Sequence, residues 1–201
     1  MAGYLLSRVG DYAFDMLPGI LLALLAFFSL RPRRLRRLEK RGLVSSRRRE
    51  TALLALYLFA GGMAVLTLLP RWVSHSLVDV LHGYRWNAGE YPFFRLGGVN
   101  LVPFRTLQDP FIFLGNVVMF VPFGFLATLL FRGYTWKRAL ATGVCITGGI
   151  ECWQLLIGRA FDIDDLLLNT LGVLCGYWLC RLLRHLAPSF AAKFQVAEPV
   201  R

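Results

Sequence analysis

Apolar residues fall into five long runs separated by polar or charged stretches: Phe14 to Leu30, Thr51 to Pro70, Phe111 to Phe131, Arg138 to Ile157 and Leu166 to Leu183. The hydrocarbon core of a bilayer is about 30 Å thick and takes about 20 helical residues to cross, so these runs read as membrane spans, the first of them short. The pattern predicts an all-α, polytopic membrane helix bundle of about five transmembrane helices. Pro18 lies near one end of the first run, where a helix tolerates it. In the second, Gly61-Gly62 suits the close approach of a neighbouring helix. The third opens on Gly115-Asn116 and has Pro122-Phe123-Gly124 near its middle. Proline there removes a backbone donor and kinks the helix, leaving carbonyls that polar groups must satisfy.

The stretch from Glu151 to Thr170 breaks this economy of polar groups. Glu151, Gln154, Arg159, Asp162, Asp164, Asp165 and Asn169 stand between two apolar segments that need none of them to cross a membrane. Glu151 and Gln154 share a helical face, as do Asp165 and Asn169. Ionisable groups inside spans are costly and mark function more often than packing. At 1.5 Å per residue, Asn116 lies about 8 Å, Glu151 about 9 Å and Asn169 about 6 Å from the same end of their spans, so the three reach a similar level. Gly143, Thr147, Glu151, Gln154 and Gly158 form one stripe, and Asp165, Asn169, Gly172 and Gly176 another. The two stripes are expected to face each other.

Composition agrees with the hydropathy. Of 201 residues 56% are hydrophobic and only 17% charged, with a mean hydropathy of +0.53, too apolar for a soluble domain. The net charge of +11 is concentrated, with Arg31, Arg33, Arg34, Arg36, Arg37, Lys40, Arg41, Arg47, Arg48 and Arg49 between the first two runs. A short basic loop between spans is the positive-inside signal, so nucleic acid is not the expected partner and residues 31–50 are expected on the cytoplasmic side. With Leu35, Leu38, Leu43 and Val44 among its arginines, the loop also suits an amphipathic helix on the inner surface. Alternation then puts the N-terminus outside, Arg71 to Pro110 outside, Gly158 to Asp165 outside and the tail from Arg184 inside. Asp11 and Asp15 precede the first run and arginines follow it, the reverse of a cleaved signal peptide.

Residues 1–70 thus read as two helices with a basic loop, 71–110 as an extracytoplasmic interfacial loop, 111–185 as a three-helix core and 186–201 as a cytoplasmic tail. The aromatic residues Trp72, Tyr84, Trp86, Tyr91, Phe93 and Phe94 suit a membrane interface. His75 and His82 lack a third ligand at convincing spacing, which favours interface packing over zinc. Cys145, Cys152, Cys175 and Cys180 all fall in spans and read as small buried hydrophobes. Asn100 to Arg105, NLVPFR, reads as a turn, since Asn100 can bond its own backbone and Pro103 follows an apolar pair.

Together these residues carry a resemblance. Asn100-Leu101-Val102-Pro103-Phe104, Gly115-Asn116, Phe120-Val121-Pro122-Phe123-Gly124, and Glu151 with Gln154, Arg159, Asp162, Asp165, Asn169-Thr170 and Gly172 resemble the VanZ-like family of bacterial membrane proteins, over about Asn100 to Tyr177. The founding member is associated with low-level resistance to teicoplanin, a lipid-tailed glycopeptide that acts on the outer face of the cytoplasmic membrane. The resemblance implies a multi-pass protein of that membrane with a role in the cell envelope, and it supplies no reaction.

Several readings stay open. In one, Glu151, Gln154, Arg159, Asp162 and Asp165 do catalytic work, Glu151 as acid, base or cation ligand and Arg159 as phosphate clamp, with Asn100, Arg105, Asn116 and Asn169 binding the substrate. Asp162, Asp164 and Asp165 are then the candidate ligands of a divalent cation, Mg²⁺ or Ca²⁺, both of which take oxygen ligands. No HExxH, GxSxG or phosphate-loop sequence selects a mechanism. In another, the same cleft binds membrane lipid, a lipid-linked cell-wall precursor or a lipoglycopeptide without chemistry. In a third, the polar residues are hydrogen-bonding glue between helices, with Asp162 and Asp165 capping the last helix beside Arg159. Transport is weaker, because no inverted repeat is visible.

Overall fold

A computed structural model describes residues 15–70, 73 and 93–197. Among these residues four helices are long and apolar enough to cross a membrane: α2 (Arg47–Leu68), α3 (Pro110–Leu130), α4 (Trp136–Leu156) and α5 (Ile163–Leu186). Their starts are set by local hydrogen bonds. Ser46 accepts from the Arg49 N–H at 3.1 Å, and Thr135 and Asp162 do the same for α4 and α5, each satisfying a first-turn donor that has no partner in the helix itself.

The first expected span is the front of α1 (Leu17–Glu39), which runs on through Pro32 into the arginines. Its apolar part, Leu17 to Leu30, is only about 21 Å long at 1.5 Å per residue, short of the hydrocarbon thickness. Residues 31–39 of the basic segment are thus the end of this helix, and Arg47 to Arg49 open α2, so the segment is not a separate helix. Gly42, at φ +66°, turns the chain from α1 into α2. A short α6 (Pro188–Ala192) follows α5, and the segment after it returns to the start of α2, where Val44 and Ala197 exchange backbone hydrogen bonds.

The long helices alternate in direction. One end of the bundle holds the arginines, with Phe131 and Trp136 nearby in the chain; the other holds the end of α2, the start of α3, the end of α4 and the start of α5. The most extensive pairing is α3 with α5, then α1 with α2 and α4 with α5. Close approach explains the small residues. A Cβ on Gly172 or Gly176 would strike the carbonyls of Val117 and Val121 on α3, beside the kink-prone Pro122, and Gly19 and Gly61 cross with the same intimacy between α1 and α2. Met63, Phe120, Ala139, Val173 and Tyr177 form the largest apolar cluster between the helices.

Two expectations about packing need correction. The Gly172 and Gly176 stripe of α5 faces α3, not α4; α4 meets the adjoining face of α5, where Gly143 rests on Thr170. Of the four cysteines, all free thiols, Cys180 is buried, but Cys145 and Cys152 are exposed on α4 and Cys175 is half-buried. His75, His82, Trp72, Tyr84, Trp86 and Tyr91, and the lead-in before Asp15, lie outside the described residues.

Candidate functional site

Two short pieces of chain close the polar end of the bundle. After α4 the chain turns at Gly158, φ +80°, and re-enters as α5 only at Ile163. Residues 95–100 lie along this turn. Arg95 and Gly97 donate their N–H groups to the Leu156 and Leu155 carbonyls, which the end of α4 leaves without helical partners, and β1 (Val99–Asn100) pairs in parallel with β2 (Phe161–Asp162).

Glu151 sits beneath this lid, 1% exposed on the inner face of α4. Its Oε2 accepts a hydrogen bond from the Asp162 N–H at 2.8 Å. The Asp162 carboxylate works outward from there: Oδ1 accepts from the Asp164 N–H at 2.9 Å as the cap of α5, and Oδ2 accepts from the Asn100 side-chain amide at 3.0 Å. Asn100 in turn accepts from the Val102 N–H at 3.3 Å, the turn foreseen for it. A polar chain thus runs from a buried glutamate to the surface segment: Glu151, Asp162, Asn100, Val102.

Asp164 is a second fastening. It is 2% exposed, and its two oxygens accept from the Phe104 N–H at 2.5 Å and from the Thr106 N–H and hydroxyl, both at 2.8 Å. These bonds hold Phe104 in the left-handed region, φ +67°, and lead into a 3₁₀ turn over Arg105–Gln108. A side chain other than glycine adopts that conformation only at a cost, which the charge-assisted bonds to Asp164 offset. Arg105 itself is exposed.

A third set of contacts reaches α2. Its last carbonyls are met by Arg159 Nη1, at 3.0 Å to Leu66 and 3.4 Å to Thr67, by Gln154 Nε2 at 3.1 Å to Thr67, and by Trp153 Nε1 at 2.6 Å to Leu68. A cation at a helix C-terminus also opposes the negative end of the helix dipole. Asp165 accepts from the Asn116 side chain, joining α5 to α3.

The predicted residues therefore gather at one end of the molecule but divide among partners. Glu151, Asp162 and Asn100 form one connected group; Asp165 with Asn116 form another; Gln154 and Arg159 turn to α2. Of the three aspartates expected to share a cation, Asp164 gives both oxygens to the Phe104 to Thr106 turn, Asp162 bonds the Asp164 N–H and Asn100, and Asp165 bonds Asn116. No group of three His, Cys, Asp or Glu side chains suited to a metal is found among the described residues. Asn169 is buried, 7% exposed, with its Oδ1 unpartnered, and so are the hydroxyls of Thr147 and Thr170. Buried polar atoms without partners are exceptions in folded proteins, and here three occur on the faces of α4 and α5 below Glu151.

Thr106 and Trp153 escaped the reading of the sequence. The only local signal for either was a donor-bearing side chain beside an apolar run.

Around the polar group the surface is apolar. Phe94, Leu96, Val99, Leu101, Val102 and Phe104, all on the segment fastened to Asp162 and Asp164, are between 59% and 76% exposed.

A protein-family model described as VanZ/LLP1 matches residues 16–184. No curated protein and no solved structure matches the chain.

Proposed function

The chain belongs to the VanZ/LLP1 family, and from that premise we propose that this multi-pass membrane protein binds an envelope amphiphile at its Glu151 end. The ligand class is a lipid-linked glycoconjugate or a lipoglycopeptide of the teicoplanin kind, held with its tail in the membrane and its polar part at the lid. One observation carries the reading: a buried membrane glutamate is wired through Asp162 and Asn100 to a surface segment whose apolar side chains face outward. An amphiphile needs both surfaces at one depth. Large apolar exposure beside a polar group is the mark of a membrane or ligand contact, and a buried carboxylate inside a span is a candidate site by its cost alone.

The arrangement supports binding more than catalysis. Asp164 and Arg159 are engaged with backbone groups, and among the described residues no nucleophilic side chain is hydrogen-bonded to Glu151. The concentration of arginines at the opposite end supports an extracytoplasmic Glu151 end in this reading, in a bacterial cytoplasmic membrane.

A second reading has its own support. Asp162, Asp164, Asp165, Gln154 and Arg159 each satisfy a partner within the fold, as they would in a scaffold whose polar residues only join helices. Purified protein separates the two. Binding of teicoplanin, measured against its core lacking the lipid tail, is saturable and tail-dependent if the site takes an amphiphile, and absent or tail-independent if the protein is a scaffold.

A further inference from the structure

The opposite end of the bundle holds a cluster that this function does not use. Glu50, 8% exposed at the start of α2, accepts from Arg34 Nη2 and from the Ser45 hydroxyl, both at 2.5 Å. Arg31 Nε is 3.3 Å away and Arg49 Nη1 3.7 Å. Three guanidiniums thus surround one carboxylate, and the difference is a surplus of two positive charges. Charge alone defines no ligand; the state of the individual donors does. Arg34 Nε and Nη1 and Arg49 Nε are buried N–H groups with no hydrogen-bond partner, although Arg49 is only 6% exposed. Charged donors out of water are normally bonded, and the partner that satisfies several guanidinium N–H groups at once is a carboxylate or phosphate.

Both arginines line a cavity of about 570 Å³ where α1, α2 and α3 meet. Its other walls are mainly apolar: Leu53, Leu56, Tyr57, Ala60, Phe123 and Phe131. The Arg34 guanidinium lies over the Phe27 ring at 4.9 Å, a cation–π contact. Leu53 to Ala60 climb α2 away from the arginines, so the groove runs from a cationic end into the apolar part of a membrane-spanning helix.

We infer that this groove binds one anionic phospholipid, its phosphate on Arg34 and Arg49 and an acyl chain along Leu56, Tyr57 and Ala60. Charge complementarity selects the headgroup, and the apolar wall selects a lipid over a free phosphate. Basic pockets between spans are suited to anionic headgroups, and an arginine fork matches phosphate where a lysine offers only a point charge.

Native mass spectrometry of the full chain, purified in non-ionic detergent and titrated with dioleoyl phosphatidylglycerol or dioleoyl phosphatidylcholine, tests this. The phosphatidylglycerol is expected to be retained at one site, with phosphatidylcholine weaker by about fivefold or more. Arg34→Gln should lose that preference, whereas Arg37→Gln, at an exposed arginine of the same helix, should keep it. Ala60→Trp, which fills the groove without touching a charge, should lower phosphatidylglycerol retention while circular dichroism stays that of the wild type. It decides the matter alone if Arg34→Gln fails to fold. Glycerol phosphate should not displace the lipid. Equal retention of the two lipids, an Arg37→Gln as damaging as Arg34→Gln, an unaffected Ala60→Trp, or displacement by glycerol phosphate would each overturn the inference.

Discussion

The buried carboxylate of Glu151 accepts a hydrogen bond from the backbone N–H of Asp162 at 2.8 Å. That bond ties the last turns of α4 to the residue that caps α5, so the turn between the two helices is held from inside the bundle. Asp162 also receives the Asn100 amide, so the 95–106 segment and Glu151 are joined through one residue.

The fastening by Asp164 should be the strongest single support of the lid. Asp164→Ala leaves the Phe104 and Thr106 N–H groups without their acceptor, at a cost on the order of 3 kcal/mol for several charge-assisted bonds. The melting temperature in detergent should fall by several degrees. An unchanged value would mean that the turn is held from elsewhere.

Phe104→Gly separates stability from binding. Glycine accepts φ +67° without the crowding of a Cβ, a relief of about 1 kcal/mol, and Phe104 is 63% exposed, so little packing is lost. The variant should melt at or above the wild-type temperature yet bind the amphiphile more weakly, because an exposed apolar contact is gone. Calorimetry and ligand titration on the same preparation check both halves.

Arg159 makes its two described carbonyl bonds from one nitrogen, so a lysine that keeps the charge at the end of α2 should retain most of the stability. Arg159→Ala should lose about 1 kcal/mol, the usual scale for a cation at a helix C-terminus. Chemical unfolding of the three proteins distinguishes this from a phosphate clamp, for which Arg159→Lys would fold normally but bind a phosphorylated lipid less well.

The arginines predict a topology. With the four native cysteines replaced, a cysteine placed after Arg48 should resist a membrane-impermeant maleimide in intact cells, while one at position 88 should react. Reversed labelling would move the Glu151 end to the cytoplasm and remove the lipoglycopeptide from consideration.

The helices were readable from hydropathy alone because each crosses an apolar medium and every backbone group is satisfied within the helix. The expected run Phe111 to Phe131 and the observed α3, Pro110–Leu130, differ by one residue at each end. The first helix was less readable, since Pro32 and the arginines look like an ending although the helix continues to Glu39. At the polar end, the sequence showed which residues gather there but not their partners. The hold of Asp164 on the turn was not legible, because its donors, Phe104 and Thr106, lie about 60 positions away in the chain. The partners of Arg159 and Gln154 were not legible, because the carbonyls they meet, on Leu66 and Thr67, are backbone groups that leave no mark in a sequence.

The central claim rests on Glu151, and Glu151→Gln tests it most directly. The amide keeps the shape of the side chain and an oxygen for the Asp162 N–H, while removing the acid. Teicoplanin binding and thermal unfolding should be measured on purified wild type and Glu151→Gln side by side. The account predicts an unfolding temperature within a few degrees of wild type and a loss of affinity of about tenfold or more, the scale of one charge-assisted hydrogen bond. Undiminished binding, or a protein that no longer folds, would contradict it and leave Glu151 as part of the scaffold.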